Sequence, residues 1–244
     1  MDITKKKIVF IDYDGTLAHT RTGHTFPVGI WDMELDLTVF ERLRLIQPLA
    51  VFVVTNQGGL HSRAAEQSWA HKFIYSIEAL TEYLEGSVFV AGRWCTSDDD
   101  NNPDRKPNTG MLSALLDDFV AQNGYTDITK EDCIMIGDAS GGPNDWSDSD
   151  RRTAANFGID YLDVNELKEL VVPEPLFRLY NFRTRKFFVD ATGPVTFPQP
   201  IARWQCERLN AIAHSLDWGI VNIRWRPPVA TYKSLPEELK RKLN

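Results

Sequence analysis

The 244-residue sequence is poor in cysteine and has no long apolar run. Its three cysteines are far apart and form no CxxC pair: they are Cys95, Cys133 and Cys206. A disulfide-rich fold and a zinc site built mainly on cysteine are thereby excluded. The basic N-terminus is followed by an apolar segment of strand length that Asp12 interrupts, which is neither a secretory signal nor a membrane span. We therefore expect a cytoplasmic protein with no membrane partner.

Basic side chains are scarce in most of the chain. Residues 1–170 contain 28 acidic and 15 basic residues, a net charge of −13, whereas residues 171–244 contain 6 and 12, a net charge of +6. Such a division occurs where one part of a protein meets a polyanion, and also where two oppositely charged parts attract each other. The motif GxxxxGK[ST] is absent, which excludes a P-loop kinase site in this sequence.

Short apolar runs alternate with helical patterns over the first two thirds of the chain. Four continuous runs have the character of strands buried on both faces of a parallel sheet: residues 7–12, 51–55, 87–91 and 133–137. Apolar spacings of three and four, with capping signals, predict helices at residues 62–84, 109–121 and 150–158. The alternation predicts an α/β fold with a doubly wound parallel sheet, in which ligands bind beyond the carboxyl ends of the strands.

The pattern changes near residue 170. We therefore predict a catalytic domain over residues 1–170 and a small, ordered α+β appendage over residues 171–244. The segment 173–175 (Pro-Glu-Pro) is typical of a linker. In the appendage we predict three strands, at residues 177–183, 186–191 and 219–225. We also predict one amphipathic helix, at residues 201–216.

The segment Asp12-Tyr13-Asp14-Gly15-Thr16 follows the first predicted strand. Two acids at positions i and i+2 can both face one cleft as the chain turns. Asp12 can attack phosphorus directly, and Asp14 can protonate the departing oxygen and later accept a proton from water. Gly15 permits the sharp turn, and Thr16 offers a hydroxyl and an N–H group to phosphate. By itself this segment is also compatible with an ordinary turn after a strand.

Further polar groups follow the other predicted strands. Thr55 and Asn56 can donate hydrogen bonds to phosphate oxygens. Lys106 can hold a carboxylate and a phosphate together as charge develops, although a lone surface lysine would explain it equally well. Asp138 can complete an oxygen site for magnesium with Asp12 and a backbone carbonyl. Asp150 is compatible with two roles: orienting Lys106 or the waters of the metal, or simply capping a helix.

The ordered motifs DYDGT, TNQGG, RKP and IGDASGGPNDWSDSDRRTAANFG resemble those of the haloacid dehalogenase-like phosphatases. This resemblance implies a Rossmann-like sheet, and the short segments between motifs leave no room for a large cap. It also implies a Mg²⁺ cofactor and a set of roles by position: Asp12 as nucleophile, Asp14 as general acid and base, Thr55 and Lys106 as phosphate-binding residues, and Asp12, Asp14 and Asp138 at the metal. The spacing of eleven residues between Asp138 and Asp150 exceeds the usual family spacing.

A narrower resemblance is to the 3′-phosphatase domain of polynucleotide kinase/phosphatase. It is carried by several short segments besides the catalytic motifs: Thr20-Arg21-Thr22-Gly23, Phe26-Pro27, Trp31, Arg105-Lys106-Pro107, Thr109-Gly110-Met111, Gly142-Pro143 and Trp146. It implies a phosphatase that removes 3′-phosphates from DNA or RNA ends. Because GxxxxGK[ST] is absent, we expect this phosphatase to have no kinase activity.

Basic and aromatic residues alternate in the C-terminal part, as in proteins that bind single strands. We hypothesise that Arg183, Arg185 and Lys186, with Arg105 of the catalytic domain, contact a nucleic-acid strand. The simpler alternative is that these aromatics pack the appendage or form an interface. Two other functions stay open: a phosphatase of small nucleotide or sugar phosphates, and a non-catalytic module that binds phosphorylated ends. The oligomeric state is not indicated by the sequence.

Overall fold

The computed structural model describes residues 2–24, 30–60, 62–85, 87–143, 145, 147–173, 176–190, 193–213 and 217–222. The chain divides into two compact units, one of Met1–Gln122 with Thr126–Val172, the other of Asn123–Tyr125 with Pro173–Asn244. The first contains β1 (Ile8–Ile11), β2 (Ala18–Thr20), β3 (Met33–Leu35), α1 (Leu37–Ile46), β4 (Ala50–Asn56), α2 (Arg63–Tyr83), β5 (Phe89–Cys95), α3 (Gly110–Asn123), β6 (Cys133–Gly137), α4 (Ser149–Phe157), β7 (Asp160–Asp163) and α5 (Val164–Glu169).

The second unit contains short strands and one helix: β8 (Leu176–Asn181), β9 (Lys186–Phe187), β10 (Val189–Asp190), β11 (Gly193–Pro194), β12 (Phe197–Pro198), α6 (Gln199–Ala213) and β13 (Trp218–Asn222). β8 pairs antiparallel with β9, β12 and β13. Phe177, Leu179 and Ala202 form its small core. The predicted strands at 177–183 and 219–225 and the predicted helix at 201–216 are present as β8, β13 and α6. The predicted strand at 186–191 is instead divided into β9, which pairs with β8, and β10, which pairs with β11. Residues 191, 214–216 and 223–225 of these predictions lie outside the described residues.

The first unit is built on a parallel sheet of five strands, in the order β5-β4-β1-β6-β7. Ile8 of the central strand β1 is aligned with Ala50 on one side and Cys133 on the other. All four residues of β1 and all five of β6 are buried, because helices cover both faces of the sheet. The structure confirms the predicted α/β fold with a parallel sheet.

Two elements of the sheet differ from the sequence prediction. The third predicted strand, at residues 87–91, is displaced: β5 begins at Phe89 and continues to Cys95. The fifth strand, β7, was not predicted, because Leu162 is its only fully buried residue. It lies at the sheet edge, where one strand neighbour is absent and the apolar run is correspondingly short. Helix α1 was also missed by the prediction, although its Asp36 N-cap is visible in the sequence.

A β-hairpin follows β1, with β2 paired antiparallel to β3. The pairing extends one residue beyond the two strands, where the N–H of Asp36 donates to the carbonyl of Leu17 at 2.9 Å. The buried Asp32 carboxylate accepts hydrogen bonds from the N–H and hydroxyl of Thr22, at 2.9 and 3.0 Å. This β2–β3 hairpin is a small insertion, in agreement with a fold that lacks a large cap. Among the described residues, no helix is long and apolar enough to span a membrane.

Helix α1 offers a test of the packing of the first unit. Leu43 is fully buried in the main core, whereas Leu37 of the same helix is 62% exposed. We predict that Leu43→Ala lowers the free energy of unfolding by about 2–5 kcal/mol, because it removes buried methyl groups and leaves a cavity. Urea unfolding followed by circular dichroism measures this change.

The matched control is Leu37→Ala, for which we expect a change within about 0.5 kcal/mol because the side chain is exposed. Equal effects of the two substitutions would contradict the packing of α1 described above.

Candidate active site

The motif residues of the first unit meet at the carboxyl ends of three adjacent strands. Asp12 follows β1, Asn56 ends β4 and Asp138 follows β6. Because β1 lies between β4 and β6 in a parallel sheet, these ends face the same edge. The structure therefore brings together the groups that the sequence places beyond separate strands.

Lys106 lies between two buried carboxylates. Its Nζ donates hydrogen bonds to Oδ1 of Asp12 and to Oδ1 of Asp150, the latter at 2.7 Å. Burial opposes the charged ammonium, but the carboxylates of Asp12 and Asp150 prevail and raise the pKa of Lys106 above its usual range. Lys106 is only 4% exposed and stays charged. An ammonium has three N–H donors, and among the described residues only two of them have a partner, which leaves one for a ligand.

Asp150 faces the site rather than capping a helix. Helix α4 begins at Ser149 with Asp148 at the N-cap position, so Asp150 belongs to the first turn. Its carboxylate is 1% exposed, and Oδ2 accepts a hydrogen bond from the N–H of Ala139 at 3.2 Å. The interpretation of Asp150 as a simple N-cap is thus wrong. The contact with Lys106 is the geometry that an orienting role requires.

Three carboxylates converge beside Lys106. One oxygen each from Asp12, Asp138 and Asp150 lies within 4.8 Å of the others. Oxygen donors alone are the set that Mg²⁺ prefers, so these residues fit that ion. Burial, together with the nearby charge of Asp150, raises the pKa of Asp138, and a cation would relieve this repulsion. The predicted metal set named Asp14 instead of Asp150, whereas the Asp14 carboxylate is not in this cluster.

Two glycines allow the close approach of these acids. A Cβ atom added to Gly15 would collide with the carboxylate of Asp138, and one added to Gly137 would collide with that of Asp150. Gly15 also has φ +76°, a conformation that favours glycine. The glycine of the DxDGT segment therefore serves the acidic cluster as well as the turn.

Asp14 is held by a residue that the sequence analysis did not select. Nε2 of Gln57 donates to Oδ2 of Asp14 at 2.5 Å and to Oγ1 of Thr55 at 3.1 Å. Burial raises the pKa of Asp14, and the hydrogen bond from Gln57 opposes the shift without cancelling it. A raised pKa suits a carboxyl group that donates a proton. Gln57 stands in the TNQGG motif, so the signal that could have found it was its place directly after Thr55 and Asn56.

The side chains of the other predicted phosphate-binding residues differ in their hydrogen-bond partners. Thr55 is buried next to Gln57. Asn56 uses its side chain to hold the Lys106 loop: Nδ2 donates to the carbonyl of Lys106, and Oδ1 accepts from the N–H of Lys106, both at 2.9 Å. The hydroxyl of Thr16 is buried and has no hydrogen-bond partner among the described residues. Phosphate binding by these three residues stays a prediction.

The predicted nucleic-acid contacts belong to two different units. Arg105 lies in the first unit, where it donates to the carbonyl of Ser97 at 2.8 Å and to Asp100 at 3.2 Å. Arg183, Arg185 and Lys186 belong to the second unit and are exposed. Their contact with nucleic acid stays a prediction.

Sheet order and the position of the acids define the class of the protein, which is a haloacid dehalogenase-like phosphatase. Residues 7–167 match the family described as polynucleotide kinase 3 phosphatase, and the chain belongs to that family. The resemblance drawn from the motifs is thereby confirmed.

Individual relatives are 28% to 29% identical to this chain over the aligned residues. An uncharacterized 20.8 kDa protein of Autographa californica nuclear polyhedrosis virus is 29% identical, over 68% of this chain and 87% of its own. The bifunctional polynucleotide phosphatase/kinase of Schizosaccharomyces pombe is 28% identical, over 64% of this chain. The histidine biosynthesis bifunctional protein HisB of Legionella pneumophila is 29% identical, over 66% of this chain. The chain spans only 36% and 42% of the length of these two bifunctional relatives.

Solved structures include a more distant neighbour, the D,D-heptose 1,7-bisphosphate phosphatase of B. bronchiseptica complexed with magnesium and phosphate. It has a TM-score of 0.47 and 20% identity, over 64% of this chain and 78% of its own.

The first prediction for the site concerns Asp12. We expect Asp12→Asn to reduce phosphate release by at least about 1,000-fold, because the amide cannot form an acyl phosphate. The fold should persist, since Lys106 keeps Asp150 as a partner. Phosphate release and thermal unfolding measure the two effects. Asp117→Asn, an exposed site on α3, is the control and should retain wild-type turnover. Substantial activity in Asp12→Asn would refute the assignment.

The second prediction concerns Gln57. Gln57→Met removes the donor to Asp14 while keeping the length of the side chain. We expect kcat/KM to fall roughly 10- to 100-fold for an alkyl phosphate, whose basic leaving group needs a well-placed acid. For 4-nitrophenyl phosphate, with its acidic leaving group, the loss should be clearly smaller.

The matched control for this test is Gln122→Met, an exposed glutamine of α3. Equal losses on the alkyl and nitrophenyl substrates would show that Gln57 does not act through Asp14.

Proposed function

We propose that the chain is a Mg²⁺-dependent phosphomonoesterase that removes 3′-phosphates from nucleic-acid ends through an aspartyl phosphate on Asp12. The observation that carries this proposal is the buried cluster in which Lys106 bridges Asp12 and Asp150. A carboxylate fixed beside a charged ammonium, with a second acid two residues away, has the composition that phosphoryl transfer requires. A purely binding module would have no need of two buried acids and a lysine.

In the first step an oxygen of Asp12 attacks phosphorus, and the bond between phosphorus and the leaving oxygen breaks. Asp14 gives its proton to that oxygen, so the alcohol departs neutral. Lys106 stays next to Asp12 and stabilises negative charge on the transferring group. A Mg²⁺ ion held by Asp12, Asp138 and Asp150 would supply positive charge that offsets the charge of the phosphate oxygens.

In the second step a water molecule attacks the phosphorus of the aspartyl phosphate. Asp14, now ionised, accepts the proton of that water, and the bond to Asp12 breaks. Inorganic phosphate leaves, and both carboxyl groups return to their starting states. The same residue thus serves as acid and then as base, which its buried position beside Gln57 supports.

Support for a nucleic-acid substrate comes from the family to which the chain belongs and from the name of the fission yeast relative. Trp31 adds a physical argument, because this aromatic side chain in the β2–β3 hairpin is 63% exposed. Exposed aromatic rings are suitable for base stacking. We include Arg183, Arg185 and Lys186 in the proposal as contacts to the strand, since all three are exposed and basic.

A second candidate is a phosphatase of small nucleotide or sugar phosphates. The observation that favours it is the acidic loop of residues 97–104, in which Asp98 and Asp100 lie near Arg105 at 4.0 and 3.2 Å. These acids offset the charge of Arg105 and disfavour the approach of a polyanion. A small phosphate ester would be less affected.

Rates on matched substrates distinguish the two candidates. We predict that, with Mg²⁺, kcat/KM is at least about tenfold higher for a 3′-phosphorylated oligonucleotide than for the same sequence with a 5′-phosphate, and higher than for mononucleotides or sugar phosphates. EDTA should abolish phosphate release, and Mg²⁺ should restore it. Preference for a sugar phosphate would refute the nucleic-acid assignment but retain the phosphatase. Full activity in EDTA would refute the metal requirement.

A further inference from the structure

A cavity of about 220 Å³ lies beside Asp14, between the first motif and the β2–β3 hairpin. Tyr13, Asp14, His19 and Met33 are among the residues that line it. Neither the nucleophile nor the lysine of the catalytic cluster contributes to this lining, and neither do the other two acids of the carboxylate cluster. The cavity is thus next to the acid but apart from the place where the phosphate would be held.

The geometry of in-line phosphoryl transfer indicates which part of a substrate would lie at this position. The leaving oxygen lies opposite Asp12 across the phosphorus and within hydrogen-bond reach of Asp14. The body of the leaving group must therefore extend from Asp14 away from the acidic cluster. This cavity adjoins Asp14, and none of the other residues of the acidic cluster lines it.

His19 is a fixed polar group of the cavity wall. Its Nε2 lies 2.9 Å from Oδ2 of Asp36. Asp36 is itself paired with Lys168 at 2.7 Å and caps α1 through the N–H groups of Thr38 and Val39, so it is ionised and accepts a hydrogen from Nε2. In the neutral ring this contact places the hydrogen on Nε2 and leaves Nδ1 as an acceptor. An acceptor of that kind matches the hydroxyl of a sugar.

The charge of the lining restricts the ligand further. The residues that line the cavity include no lysine or arginine, so a second phosphate would find neither of the permanently charged side chains that usually bind one. The volume is below the roughly 300 Å³ of the smallest pockets for drug-sized ligands. An uncharged, hydroxylated group of the size of a single ring fits both the charge of the lining and the volume of the cavity.

We propose that this cavity binds the sugar ring that carries the phosphate, and that His19 accepts a hydrogen bond from a hydroxyl of that ring. This inference rests on the proposed phosphatase function and adds a specificity site to it. His19 contacts the leaving group in this account and takes no part in the transfer of the phosphoryl group.

The test compares two substrates in the presence of Mg²⁺: thymidine 3′-phosphate, which has a sugar to place in the cavity, and acetyl phosphate, which has none. The measured quantity is the ratio of their kcat/KM values. We expect His19→Ala to lower this ratio at least about tenfold, since a lost hydrogen bond at a polar site weakens discrimination by that order. His19→Gln, which keeps an acceptor, should recover part of the ratio.

His71→Ala, an exposed histidine of α2, is the matched control and should leave the ratio unchanged. An unchanged ratio in His19→Ala, or an equal loss on both substrates, would overturn the inference. If the wild-type protein prefers another sugar phosphate, the nucleic-acid proposal fails, and the same ratio is measured with that ester. A fall in the ratio then still supports the cavity as the sugar site.

Discussion

The buried ammonium of Lys106 is the interaction on which the arrangement of the active site depends. Two carboxylates, Asp12 and Asp150, share it at the end of the central strands. A buried charge is costly unless it is paired, so the loss of Lys106 would leave two carboxylates in the interior without their cation. Lys106 therefore holds both acids together, and this contact places the Asp12 carboxylate at the open edge of the sheet.

Several further contacts keep this group in place. Asn56 clamps the backbone of Lys106 through two hydrogen bonds, which fixes the origin of the lysine side chain. The N–H of Ala139 holds the second oxygen of Asp150. Bare glycines at Gly15 and Gly137 let the carboxylates pack against backbone. Chemistry at Asp12 thus relies on residues from five segments: the ends of β1, β4 and β6, the loop that contains Lys106, and the start of α4.

Much of the fold was predictable because its central strands are buried on both faces. Such strands give continuous apolar runs, and β1, β4 and β6 were found within a residue of their ends. The edge strand β7 gave no such run, since Leu162 is the one buried residue among its four. The three-residue strands of the β2–β3 hairpin were too short to produce a period at all.

The residues of the active site also divide into those that the sequence predicted and those that required the structure. Asp12, Asp14, Lys106 and Asp138 were selected because each follows a strand in a known order of motifs. The inward position of Asp150 required the structure, because its helix begins one residue earlier than the sequence suggested and its partner Lys106 is 44 residues away in the chain. Gln57 was not selected from the sequence, because its side-chain amide is uncharged. Its role is indicated only by its hydrogen bond to Asp14.

The central claim is that Asp12 becomes phosphorylated during turnover, and the most direct measurement is to trap that intermediate. Enzyme in excess over a 3′-phosphorylated oligonucleotide is quenched in acid within one turnover, reduced with borohydride and digested, and the peptides are analysed by mass spectrometry. We predict that the change of mass expected for a reduced acyl phosphate appears at Asp12 alone. Phosphate release without any modified aspartate, or modification at Asp138 instead, would contradict the mechanism.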